Sequence, residues 1–171
     1  MFLTRQKCLL VCVCLLSLAA CASSSVQKNE PISRPKPYLS QNIEETLLLQ
    51  ATQSFIRDYN NWNDTAYMDS INGGDPLQEK ASSAYSELVR QYAVAGTTHK
   101  DVAFSSKSSH DLENEHVILI EINGLLAIVK TKHYGFNDHG SDYEYHYKRT
   151  KWGWRLVDLV YVAENYRGSI L

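Results

Sequence analysis

Beyond position 21 this 171-residue sequence contains no cysteine; its four stand at 8, 12, 14 and 21. That excludes a disulfide framework, a thiolate metal site and a cysteine nucleophile from the rest of the chain, which must be held by its core. Long apolar runs are missing as well. The best stretch, residues 8–20, is uncharged and mostly apolar, and as a helix it would span only ~20 Å against a ~30 Å hydrocarbon layer. No cluster of Lys and Arg marks a nucleic-acid face. There is no Gly-x-Ser-x-Gly elbow and no phosphate-cradling glycine loop. His133, His139 and His146 gather near one loop, but they match no zinc spacing and no Glu-x-x-His pattern accompanies them. The sequence therefore predicts no catalytic residue, no metal and no cofactor.

What is present begins with an address. Arg5 and Lys7 precede the apolar stretch, as in a secretory signal. Leu18-Ala19-Ala20-Cys21 resembles a bacterial lipobox, and the resemblance implies cleavage before Cys21 and lipidation of its sulfur. Residues 1–20 read as a lipoprotein signal and 21–39 as a flexible tether, because Ser23 to Ser25 and three of the four prolines (31, 35, 37) leave almost nothing to bury. Residues 40–171 are long enough for one domain with a real core. Setting aside Arg5 and Lys7 leaves 15 basic and 19 acidic residues, a net charge of about −4.

The domain opens on helical periodicity. Asn42 followed by Glu45 reads as a capping box, and Leu47, Leu48, Ala51, Phe55, Tyr59 and Trp62 form one apolar stripe. Signals fade by Gly73-Gly74. Asp75-Pro76 starts a second helix with stripe Leu77, Ala81, Ala84, Leu88, Val89 and Tyr92, ending at Gly96. The period then changes to two. Strands are predicted at 102–106, 116–122, 125–133, across Tyr143, Tyr145 and Tyr147, and at 154–163. Asn123-Gly124 makes one hairpin turn and residues 150–153 another. The fold class is α+β: N-terminal helices packed on a curved antiparallel sheet of about five strands.

Helices first, then a meander ending in residues 153–158 (GWRLVD), resemble the nuclear transport factor 2-like fold. Residues 55–63 (FIRDYNNWN) with the Tyr-rich strand resemble the immunity proteins of bacterial polymorphic toxin systems. The resemblance implies a cone between sheet and helices that holds a ligand in some members and catalyses in others. Asp58 or Asp158 beside Tyr59, Tyr145 or Tyr161 would be the acid–base candidates. Eleven tyrosines, however, make such proximity uninformative.

The expectation is an envelope lipoprotein, on the periplasmic face of the outer membrane, that neutralises a cognate toxin by direct contact and touches the membrane through Cys21. Trp152, Phe136, Tyr134 and Tyr143 are its candidate partner-binding anchors. Two alternatives remain: a lipoprotein holding a small apolar ligand in a pocket lined by Tyr59, Trp62, Tyr145 and Trp154, or a structural envelope component. Trp154 is expected in the core against Phe55 and Tyr59.

Overall fold

The computed structural model describes residues 36–73, 77–100, 102–135 and 140–171. The signal, Cys21, most of the tether, Asp75-Pro76, Phe136 and His139 lie outside them. Helix α1 runs Ile43–Asn72. Its start is set by the Asn42 side chain, which accepts from Glu45 N at 3.0 Å, while the Glu45 carboxylate reaches back to Gln41 N at 2.7 Å. Gly73, at φ 71°, ends it. Helix α2 is Leu77–Tyr92. Among the described residues no helix is long and apolar enough to cross a membrane.

Five antiparallel strands follow in the sheet order β1-β2-β3-β4-β5: β1 Glu115–Asn123, β2 Leu126–His133, β3 Ser141–Thr150, β4 Gly153–Ala163 and β5 Tyr166–Ser169. The α+β architecture is the one the sequence predicts, with one exchange of strands. Residues 102–106 are not a strand. The Asn63 amide takes the Ser105 backbone instead, donating to its carbonyl at 3.0 Å and accepting from its N–H at 3.1 Å. Those backbone groups are thereby satisfied without a neighbouring strand. The fifth strand is β5, formed beyond the last predicted one.

Tyr143, Tyr145 and Tyr147 all face the helices and are buried. Phe55 of α1 meets Tyr145 edge-on at 5.9 Å, Tyr59 meets Tyr85 of α2 at 5.9 Å, and Thr52 bonds the Tyr147 hydroxyl at 2.9 Å. A bulge between His146 and Tyr147 shifts β4 by one residue, so Leu159 opposes Tyr145 but Leu156 opposes Tyr147 and Trp154 opposes Arg149. The shift turns Trp154 inward. Its contact differs from the expected one: the indole N–H donates to Glu44 at 2.8 Å, at the start of α1, and the Arg149 guanidinium lies 5.5 Å from its ring centre.

The opposite sheet face carries charge. Lys130 pairs with Glu121 at 3.5 Å, and Glu144 is held by the Arg167 fork and by His146 Nε2 at 3.0 Å. Burial pushes the Glu144 carboxyl up, but the His146 and Arg167 hydrogen bonds outweigh it and leave the group below its ordinary 4.5. A carboxylate depressed on folding stabilises fully above its unfolded value and loses that contribution as pH falls through the folded one. Glu144→Gln is accordingly expected to lower the urea midpoint at neutral pH. Its decline on acidification below about pH 4.5 should be shallower than that of the wild type. Parallel acid limbs for the two proteins would contradict this.

Candidate functional site

The chemically richest place in the described chain is a buried polar cluster between the sheet and the segment that follows α2. Residues 105–114 run largely exposed, but Ser108 and His110 turn inward and are buried. Polar composition alone predicts a solvated loop there, yet His110 is 1% exposed. Its ring lies 4.3 Å from Tyr143 and 4.7 Å from Tyr59. Nδ1 sits 2.8 Å from Glu115 Oε2 and 2.9 Å from the Tyr145 hydroxyl. Glu115, at the start of β1, also accepts at Oε1 from Thr131 at 2.5 Å and from Tyr145 at 2.7 Å. Ser108 and Ser109 complete the lining: Ser108 Oγ donates to the His110 carbonyl at 2.6 Å, and Ser109 Oγ donates to the Tyr59 hydroxyl at 3.3 Å. Every member of a buried network of this kind needs a partner, and here the carboxylate serves three donors at once.

Electrostatics follow from this burial. The Tyr145 hydroxyl is pushed well above its ordinary value by burial first and by the Glu115 charge second. Tyr59 and Tyr143 are raised by the same two causes in the same order. All three hydroxyls therefore keep their protons at neutral pH; Tyr145 donates to Glu115 and Tyr143 to the Ser109 carbonyl, while Tyr59 accepts from Ser109. Nearby, burial raises Asp111, but hydrogen bonds from His133 at 3.0 Å and from Asn114 carry it below its ordinary value.

Clefts among the described residues flank these elements. One of about 290 Å³ opens between Pro37, Tyr38, α1 (Leu49, Gln53, Ile56) and β1, and Glu115 lies in its wall. A second of about 400 Å³ separates α1 from α2 over Trp62, Ala66, Ala81 and Leu88, with Asp58, Asp69 and Glu87 at its rim. A third of about 330 Å³ is bounded by Asn60, Asp64 and residues 106–108 and 111–114.

The sites expected from sequence scatter. Tyr143 is a correction: at 6% exposed it faces the helices and offers no surface anchor. Trp152 is 75% exposed at the β3–β4 turn, with Lys151 Nζ 4.9 Å from its ring centre. Tyr134 follows β2 at the other end of the sheet, its N–H bonded to the Asn114 carbonyl at 2.9 Å and its ring 5.8 Å from His116. At ~3.3 Å per residue the ten residues of β3 put about 30 Å between the ends that carry Trp152 and Tyr134. They cannot anchor one compact patch. Of the pocket candidates, Tyr59 and Tyr145 meet at the buried cluster, Trp62 borders the interhelical cleft, and Trp154 packs at the distant start of α1.

Of the acid–base candidates, Asp58 accepts from Tyr92 at 2.5 Å and Asp158 from Ser169 at 2.8 Å. Neither touches the cluster through a described hydrogen bond. His133 and His146 are each taken by a carboxylate, Asp111 and Glu144. Among the described residues no group of three or more His, Cys, Asp or Glu is arranged to hold a metal ion. His110 and Glu115 were not foreseen from sequence. The one available signal was a His and a Glu five residues apart immediately before an alternating strand. Comparison with protein-family models, curated proteins and solved structures finds no match to this chain.

Proposed function

We propose that this chain is an envelope-anchored protein that neutralises a toxin by direct contact, as its resemblance to the immunity proteins implies. The observation that supports contact rather than chemistry is the filling of the inner sheet face. Tyr145 is fully buried, Phe55 and His110 are 1% exposed, and Tyr145, His110 and Glu115 are committed to one another. A surface reading then has to choose one end of the sheet. The Tyr134 end offers a ring tilted against His116, with Leu112 exposed on the segment before β1, on a scaffold pinned by the Asp111–His133 pair. A rigid aromatic anchor on a fixed support is what a hot spot requires. Tyr134→Ala with Leu112→Ala is expected to keep the melting curve and weaken toxin binding roughly 30-fold or more, about 2 kcal/mol. Titration against a co-expressed toxin that the wild type neutralises checks it, and undiminished affinity removes this surface.

A second reading rests on the 290 Å³ cleft, whose wall combines Leu49, Ile56 and Val117 with Gln53 and His116. It would suit a small, mostly apolar molecule. Gln53 is exposed at this cleft. Gln53→Trp should fill it, leaving neutralisation intact under the contact reading and abolishing function under the ligand reading. The two outcomes are read in the same protection assay.

A further inference from the structure

The end of the sheet opposite Tyr134 has a distinct surface. Two hairpin turns lie side by side there, since the Arg149 N–H bonds the Leu125 carbonyl at 2.7 Å and Leu126 pairs with Lys148. The start of α1 joins them through Glu44, which holds Arg149 at 3.2 Å and Trp154 at 2.8 Å. The four apolar side chains carried by these tips point to solvent: Ile43 is 74% exposed, Leu125 63%, Leu126 57% and Trp152 75%. None of them has a core to fill. The carboxylates at this end are turned to internal work, Glu44 as above and Glu45 in the helix cap. Lys148 and Lys151 are exposed, and Lys148 has no ion-pair partner among the described residues. Leu and Trp tips flanked by two exposed lysines fit a headgroup boundary. There the indole sits at the interface, the leucines enter the acyl region and the ammonium groups meet lipid phosphate.

We infer that the end carrying Ile43, Leu125, Leu126 and Trp152 rests on an anionic phospholipid surface. This rests on the lipid-anchor part of the proposed function. Fourteen residues separate Cys21 from Lys36, and in extended polyproline geometry they reach about 45 Å at ~3.1 Å each. That length allows any face of a domain of this size to come down on the bilayer. The lipid confines the domain near the surface, and the tips then select its orientation. The Tyr134 end, about 30 Å away along the strands, is held clear for a partner.

The test uses the full-length protein, purified from membranes and reconstituted in vesicles of phosphatidylethanolamine and phosphatidylglycerol with bromine on the acyl chains. Trp62 and Trp154 are buried, so Trp152 carries the accessible emission, and Trp152→Phe isolates it. The expected result is a shift of the Trp152 component to shorter wavelength and loss of most of it to bromines placed near the headgroups. Lys148→Gln with Lys151→Gln should weaken that quenching. The mass of the same sample reports whether Cys21 is acylated. Acylated protein whose Trp152 stays open to aqueous iodide and untouched by bromolipid overturns the inference and leaves the anchor standing. Unacylated protein overturns both. Shielding of Trp152 that appears only when a toxin is added, without bromolipid quenching, overturns the inference in favour of a protein occupant.

Discussion

Glu115→Ala is expected to cost about 3–5 kcal/mol of folding stability, a large share of the roughly 5–15 kcal/mol that holds a typical domain. The Glu115 carboxylate accepts from Thr131, Tyr145 and His110, all within 2.8 Å and all in residues that are 1% exposed or less. Its removal strands these donors away from water, and each unsatisfied buried donor costs about 1–3 kcal/mol. The Tyr145 hydroxyl keeps one neighbour, His110 Nδ1 at 2.9 Å, which is why the costs do not simply add. Glu115→Gln retains the shape and one acceptor oxygen, so it should cost distinctly less. Urea melts decide the matter: the midpoint should fall with an unchanged slope. A loss under about 1 kcal/mol for the alanine variant would mean that the cluster is open to water. The contact reading of the function would then lose its support.

Trp154→Ala and Trp152→Ala are expected to differ by several kcal/mol although only one residue separates them. Trp154 is 9% exposed, donates to Glu44 and lies beneath the Arg149 guanidinium. Truncation leaves a cavity between β4 and the start of α1, costs ~3–5 kcal/mol and unpairs the helix terminus. Trp152 is three-quarters exposed and touches chiefly Lys151. Its loss should change stability by less than ~1 kcal/mol. Thermal melts of the two variants measure the contrast, and a reversed order would place the β3–β4 register one residue away.

Much of the architecture is legible in the chain because it depends on neighbours in sequence. The Asn42–Glu45 box, the stripe from Leu47 to Trp62 and the alternation of Tyr143, Tyr145 and Tyr147 are local patterns, and each forms the element it predicts, although Leu47 itself is left 39% exposed. The Asn123-Gly124 turn behaves likewise, with Gly124 at φ 60°. Residues 102–106 look equally local. There, however, the Asn63 side chain, 42 positions upstream of Ser105, takes the backbone bonds that a strand would have needed.

The cluster was not legible at all. His110 lies in a polar stretch whose composition predicts exposure. Its burial depends on Glu115, Tyr59, Tyr143 and Tyr145, which stand at sequence separations that no periodicity encodes. The sequence by itself determined the two helices and four of the five strands, since the local spacing of apolar groups fixes the period of each element. Only the tertiary structure decided that Tyr143 is a core residue rather than a surface anchor. It also decided that Trp154 meets Glu44 at the start of α1 rather than Phe55 and Tyr59, and that Trp152 and Tyr134 lie at opposite ends. A strand's outward face, the parity reset by the bulge after His146 and the partner of a buried polar group are each settled by what lies across the sheet, and a linear pattern carries no record of that.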